Sequence, residues 1–411
     1  MKILVLNAGS STLKSMFFEI EQAPPENPPA PLWQGKIEWR GNEAQINSRN
    51  NHGDQHSERV SLPRQGSLLR LLDSLWSGRA RAISSPTEIS AVGHRVVQGG
   101  LKYEEPVLLN AEVESAIASL SQIAPLHNQT ELEVIRIARE KINAPQVAMF
   151  DTGFHRRMPD AAVVYPGPYE WLSEGIRRYG FHGINHQYCA ERAAQLLRRE
   201  LTSLKIVSCH LGSGCSLAAI QNRRSVDTTM GFTPLEGLMM ATRSGSIDPG
   251  LLTYLLQRDG CTSQELYEIL NTKSGLLGIS GLSSDMRDIL AAMKEGHARA
   301  TLAFEIFIHR LRSGIGAMAA VLGGMDALVF TAGIGENSPE VRAAACANLR
   351  HLGVALDEQK NNGPSSDRIV SAADSAVGVL VIRAQEEWAI ARECWKIASS
   401  IGRAAQPTAI I

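Results

Sequence analysis

The chain has 411 residues, of which 44% are hydrophobic and 20% charged, and its formal net charge is −1. That length is too great for one ordinary core and predicts two or three domains. The balanced charge argues against nucleic acid as a partner and for a small metabolite.

In chain order, "KILVL" (Lys2–Leu6) reads as a buried strand, and "SMFFEI" (Ser15–Ile20) as a second one after a glycine- and serine-rich loop. The proline-dense "EQAPPENPPAP" (Glu21–Pro31) cannot be a central strand and is expected as a surface hairpin connection. "SRNNHGDQHSERV" (Ser48–Val60) has no apolar period and reads as an exposed loop, its two histidines not taken as metal ligands. Further buried strands are expected at "EISAVGHRVV", "QVAMF", "KIVSCHL", "DALVFTAG" and "VGVLVI". Helical periods run through "QTELEVIRIAREKI", "QYCAERAAQLLRRE" and "RATLAFEIFIHRLRSGIGAMAAVL". Strands alternating with helices predict an α/β protein. The tail "GRAAQPTAII" reads as a loose end.

Six cysteines form no C-x-x-C pair, so neither a zinc ribbon, a thioredoxin-like site nor a disulfide framework is expected. The apolar run before Asn7 is too short for a signal peptide, and no stretch approaches the roughly 20 residues of a membrane span. A cytoplasmic protein without a membrane partner is expected.

Three loops carry chemistry. In "LNAGSSTLK", Gly9 lets the backbone turn, Ser10, Ser11 and Thr12 offer hydroxyls, and Lys14 adds a charge. It lacks the glycine-lysine pair of a P-loop, and a strand rather than a helix follows it. "IVSCHLGSGCSLAAI" repeats the form about half a chain later, with Asn7-Ala8-Gly9-Ser10 matching His210-Leu211-Gly212-Ser213. That echo points to a duplicated domain with a nucleotide in the cleft between the halves. In "LVFTAGIGENSPEVRAA", Gly333 and Gly335 follow a strand, Ser338 is placed to cap a helix with Pro339 at its first position, and that helix is expected to stop near Gly353. Such a turn suits a nucleotide.

The reactive side chains sit beside glycines. Arg95 is expected just beyond a strand, Asp151 at a strand end, His182 between glycines and Arg243 in a turn. Two guanidiniums and a histidine suit a reaction that gathers negative charge, such as phosphoryl transfer to a carboxylate.

Taken together, "LNAGSSTLK", "GHRVV", "FDTGFH", "RRYGFHG", "HLGSG", "MGFTPLEGLMMATRSG", "TAGIGEN" and "QEEWAIARE" resemble the acetate kinase family, in order and over nearly the whole chain. The resemblance implies the duplicated, ribonuclease H-type fold of the actin, sugar kinase and Hsp70 group. Its halves would be residues 1–150 plus 385–411, and 151–384. It implies a cytoplasmic homodimer that makes acetyl phosphate from acetate and ATP, reversibly, with Mg²⁺ or Mn²⁺. It implies roles as well. Asn7 and Glu386 would hold the metal, and Lys14 would approach the phosphates. The ATP site would be lined by His210, Leu211, Gly212, Ser213 and Gly214, by Asp285, Met286 and Arg287, and by Gly333, Ile334, Gly335, Glu336 and Asn337. Arg95 would bind the carboxylate, and Val97, Leu126, Phe181 and Pro234 would enclose the acyl methyl. Asp151 would sit at the reaction centre as a positioner rather than a base, and His182 and Arg243 would stabilise the moving phosphoryl group. The chain departs from the family pattern at Ser213, Ser246, Gln98 and Gln385, where asparagine, aspartate, histidine and asparagine are usual.

Overall fold

The structure, a computed structural model, describes residues 1–9, 11–122, 125–258, 260–364 and 366–404. It divides into two compact units, Met1–Gly153 joined by the chain from Gln385 onward, and Phe154–Ala384.

The first unit holds β1 (Lys2–Ala8), β2 (Thr12–Glu19), β3 (Trp33–Arg40), β4 (Glu43–Asn50), β5 (Gln55–Val60), β6 (Ala91–Val96), β7 (Val107–Leu108) and β8 (Gln146–Phe150) in one eight-stranded sheet ordered β5-β4-β3-β2-β1-β6-β8-β7. The first five strands form an antiparallel meander, whereas β6 runs parallel to β1 and β8 parallel to β6. β1 is a continuous apolar run because it is central and covered on both faces. Side chains alternate faces along a strand, so Leu4, Leu6 and Val92 share one core with Leu71 and Leu72 of the helix Arg64–Trp76 and Val134 of the helix Pro125–Lys141. The opposite face meets the helix Glu386–Ala404. There a Cβ on Gly93 would lie 2.5 Å from Ile390 and Cys394, so only glycine lets that helix approach.

The second unit holds β9 (Lys205–Leu211), β10 (Cys215–Gln221), β11 (Arg224–Thr228), β12 (Ala327–Thr331), β13 (Arg368–Ile369) and β14 (Gly378–Val381), ordered β11-β10-β9-β12-β14-β13. Its run β11-β10-β9-β12-β14 repeats β3-β2-β1-β6-β8 of the first unit, with the same parallel and antiparallel pairings. Two copies of one α/β topology are present, which is the duplication that the echoing loops predict. The 25-residue helix Ala298–Leu322 packs on β9 and β10, with Gly314 set against Leu217. The helix Gly183–Leu197 covers the other face, since it bonds to Ser216, the neighbour of Leu217 along β10.

Four sequence expectations need correction. The tract 48–60 is no exposed loop: its ends complete β4 and form β5, and only the turn between them is loop. Polar alternation on an edge strand hid the period. Arg95 lies inside β6, not beyond it. Gly333 and Gly335 sit within a short helix, Ala332–Asn337, rather than in an open loop. The helix capped by Ser338, whose Oγ accepts the Val341 N–H, begins at Pro339 but ends at Cys346, well before Gly353. The tail beyond Ala404 lies outside the described residues.

Candidate active site

In the first unit the charged residues collect at one end of one sheet face. Asn7 and Lys14 are directly opposed across the β1–β2 hairpin, and directly opposed residues share a face. Asn7 has the same parity along β1 as Val5, which a Cβ on Gly93 would also meet, so it points toward the helix Glu386–Ala404. Its Nδ2 donates to Glu386 Oε2 (3.1 Å) and Glu387 Oε1 (2.9 Å). Arg95, two residues beyond Gly93, reaches the same place: it donates to Asn7 Oδ1 (3.4 Å) and to Asp151 Oδ2 (2.6 Å). Burial works to lower the Arg95 pKa, but the negative charges of Asp151, Glu386 and Glu131 outweigh it and raise it. Asp151 follows β8 directly, and its own N–H is tied to Val96 O (2.8 Å). Its side chain is only 1% exposed, so its contact with Arg95 is a buried ion pair.

In the second unit the matching strand end carries no charge cluster. His210, sixth in β9 as Asn7 is sixth in β1, opposes Ser216 on β10. His182 stacks on His210, with ring centroids 3.9 Å apart and planes 8° from parallel. His182 caps the helix Gly183–Leu197 in the left-handed region (φ 58°), a strained position for a side chain with a Cβ. Its Nδ1 shares the Ser216 hydroxyl (2.9 Å) with His186 Nε2 (2.8 Å), and His186 Nδ1 meets Ser208 Oγ (2.9 Å). Asn185 Nδ2 donates to His210 Nδ1 (2.9 Å), which in the neutral ring leaves the proton on Nε2. Burial first, then His155 and His210, hold the His186 pKa well below the usual histidine range. His186 is held neutral at the centre of this network.

Gly214 is where these groups converge. A Cβ there would lie 3.3 Å from His182 Cε1 and Nε2 and 3.5 Å from Arg243 Nη1. Arg243 is anchored by donating to Pro234 O (3.2 Å), and burial lowers its pKa. Beside Gly214, Gly212 and Ser213 open into a cavity of about 670 Å³, also lined by Asp285, Met286, Arg287, Gly333, Ile334 and Asn337. Asp285 caps the helix Met286–Lys294 and pairs with Arg287 (2.5 Å), whose hydrogen bond lowers the Asp285 pKa. Glu336 does not line the cavity: its carboxylate accepts the Ala384 N–H (2.8 Å), and burial raises its pKa. Gly335 lies instead against the backbone of Phe330 and Cys209.

The whole chain has matches. Residues 2–392 match the acetokinase family. It is similar to the acetate kinase of Gloeobacter violaceus, with 55% identity over 401 residues, 96% of this chain and 99% of that protein. The acetate kinase of a Cyanothece species is 53% identical over 97% of this chain and 98% of its own length. Among solved structures, an acetate kinase from Porphyromonas gingivalis superposes with a TM-score of 0.89 at 37% identity, and a propionate kinase from Francisella tularensis with 0.86 at 36%. Each match covers 96% of this chain and 99% of the other. The chain belongs to the acetokinase family.

Two of the four positions expected from the sequence to depart from the family pattern have clear structural roles. Ser246 Oγ accepts the Gly237 N–H (3.0 Å) and its own N–H returns to Gly237 O (2.9 Å), closing the loop that carries Arg243. Gln98 Oε1 accepts the Gly100 N–H (3.0 Å). Ser213 is exposed at the cavity and its carbonyl accepts the Ala241 N–H (3.2 Å), while the Gln385 carbonyl accepts the Ala389 N–H (2.9 Å). Val97 is buried in the first unit, and Phe181 and Pro234 belong to the second. Leu126 is the second residue of the helix Pro125–Lys141, but its side chain lies outside the described residues.

Sequence reasoning misses Glu131, Asn128, Glu387, His186 and Ser216. A signal for Glu131 exists: it falls with Asn128, Ile135, Ala138 and Ile142 on the buried stripe of its helix, where an acid is out of place.

Proposed function

We propose that this acetokinase is an ATP-dependent acetate kinase, making acetyl phosphate and ADP reversibly. The observation that carries the reading is the convergence of His182 and Arg243 on Gly214, beside a cavity that two glycine segments and a capped helix line. A cation and an imidazole at that point suit a phosphoryl group, whose transfer spreads charge over three equatorial oxygens. An acetate oxygen attacks the terminal phosphorus, the bond to the bridging oxygen breaks, and ADP leaves with that electron pair. Acetate is already a nucleophile at neutral pH, so no side chain need remove a proton.

Arg95 would bind the acetate carboxylate, and Asp151 would position it, since the two are bonded directly. Asn7 and Glu386, joined through the asparagine amide, would hold Mg²⁺ or Mn²⁺ through hard oxygen donors, and such ions take one or two protein ligands beside substrate phosphates. That fits the absence, among the described residues, of any cluster of three or more acidic, histidine or cysteine side chains able to hold a metal alone. The ion would neutralise phosphate charge.

A homodimer is part of the proposal, supported by exposed Leu251, Tyr254, Tyr267 and Ile269 on the helices Pro249–Arg258 and Ser263–Thr272. So is the cytoplasm, supported by six cysteines that form no disulfide among the described residues. Among the described residues no helix is long and apolar enough to cross a membrane.

The near-equal likeness to a propionate kinase keeps that acid as the second reading. Trapping the acyl phosphate with hydroxylamine, in ATP and Mg²⁺, tests both. Acetate is expected to exceed propionate in kcat/KM by about 10-fold or more, the worth of one methylene in an apolar pocket. A ratio below one transfers the assignment to propionate, and no hydroxamate from either acid removes the kinase reading.

A further inference from the structure

Four consecutive backbone N–H groups follow β6, and each is held by a side chain. Val97 donates to Glu131 Oε2 (3.0 Å), Gln98 to Asn128 Oδ1 (3.3 Å), Gly99 to Thr152 Oγ1 (3.0 Å) and Gly100 to Gln98 Oε1 (3.0 Å). Asn128 also returns its amide to the carbonyls of Gln98 (3.3 Å) and Ile117 (3.2 Å). Buried backbone amides are ordinarily paired with other backbone groups in helices and sheets. Here side chains from the helix Pro125–Lys141 and from the turn after β8 replace that pairing, and the segment takes their geometry.

There is little slack in it. Gly100 is in the left-handed region (φ 63°), and a Cβ on Gly99 would lie 2.9 Å from the Phe150 ring. That ring is itself stacked on Tyr103, with centroids 4.7 Å apart. Asn128, Glu131 and Thr152 are all buried, so water does not substitute for them.

Glu131 is the unusual member. Its Oε1 is buried without a hydrogen-bond partner. Burial pushes its carboxyl up to about 8, against the pull of Arg95 and the Val97 N–H and with the help of Asp151. A protonated acid still accepts the Val97 N–H, yet sets no second full negative charge against the Arg95–Asp151 pair.

We propose that Glu131, Asn128 and Thr152 are positioning residues that hold the Val97–Gly100 segment in place, fix the Val97 wall of the acyl pocket and so set the preference for a two-carbon acid over a longer one. The inference rests on the proposed acyl kinase activity and on Val97 lining its pocket.

The test compares Glu131→Leu, which removes the acceptor, with Glu131→Gln, which keeps an oxygen at the same reach. Thr152→Val is the parallel variant should Glu131→Leu fail to fold. The full chain is assayed for kcat and KM with acetate and with propionate, and amide hydrogen exchange is followed on the peptide containing Val97–Gly100. Glu131→Leu and Thr152→Val are expected to lose protection in that peptide and to raise the acetate KM more than they change kcat. They should also narrow the acetate-to-propionate ratio by about tenfold, while Glu131→Gln keeps the wild-type ratio and protection. Unchanged protection in both substitutions, or lost protection with an unchanged ratio, overturns the proposal. Failure of the wild-type chain to phosphorylate either acid overturns the underlying kinase reading instead, which the exchange data do not depend on.

Discussion

The two hairpins that open the two sheets share a backbone and differ in chemistry. At the sixth position of β1 stands Asn7, bonded to Glu386, Glu387 and Arg95, with Asp151 behind. At the sixth position of β9 stands His210, bonded to Asn185 and stacked on His182, with His186 and Ser216 behind. One end is built of full charges that hold each other in place. The other is built of imidazole rings and hydroxyls joined in a line of hydrogen bonds, with His186 held neutral among them. A duplicated fold therefore supplies the same strand end twice, and the side chains decide what each can hold. The charged end suits a carboxylate and a cation, while the histidine end leaves Arg243 as the charge nearest Gly214.

The comparison predicts different failures. Arg95→Ala at the charged end should have the largest effect. It should lower kcat/KM by about 10³-fold or more, the scale of an arginine that serves a phosphoryl transfer. It also breaks the ion pair of the buried Asp151 carboxylate, at a cost of about 3–5 kcal/mol. Thermal unfolding should show this, and the double variant Arg95→Ala with Asp151→Ala should recover stability without recovering turnover. A single variant as stable as the wild type would mean that the pair is not the support described here.

At the histidine end, Ser216→Ala should do less. It removes the hydroxyl between His182 and His186, costing about 1–3 kcal/mol for the unmade bonds. Because it removes one of the contacts that orient the His182 ring, it should reduce kcat by about 10²-fold with little change in the acetate KM. An unchanged kcat would show that the shared hydroxyl does not orient His182.

The last effect is on stability against pH, and two buried groups of the first unit give it opposite signs. Burial holds His94 down to about 4, against its hydrogen bond to Gln146, so its stabilising neutral form is fully present above the ordinary 6.5 and is lost as pH falls through about 4. Glu131 works in the opposite sense: raised to about 8, it contributes fully below its ordinary 4.5 and that contribution is lost as pH rises through about 8. Each group gives a slope of at most about 1.4 kcal/mol per pH unit inside its window. Denaturation series from pH 4 to 9 should show both limbs in the wild type, and Glu131→Gln should flatten only the alkaline one.

Much of this molecule is legible in local sequence. Continuous runs such as "QVAMF" and "KIVSCHL" coincide with β8 and β9, because a strand buried on both faces has no polar alternation to obscure it. The edge strand β5 is not legible, since its alternating polar residues carry no apolar signal. Ser338 and Pro339 mark a helix start from chemistry within one turn. Where that helix ends is set by what it packs on, and Gly353 misleads.

By itself, then, the sequence determined the α/β class and the repeated hairpin and supplied the residues proposed for phosphoryl chemistry, because each depends on patterns a few residues long. The tertiary structure alone decided which of those residues meet. Asn7 and Arg95 lie 88 positions apart, and Asn7 and Glu386 lie 379 apart. They come together only because β6 pairs parallel with β1 in one register and Gly93 admits the helix Glu386–Ala404 to that face. A register shifted by one residue would turn every second side chain to the opposite face. Glu131 was settled the same way: its helix period marks it as buried, but only the turn after β6 gives its carboxyl a backbone amide to hold.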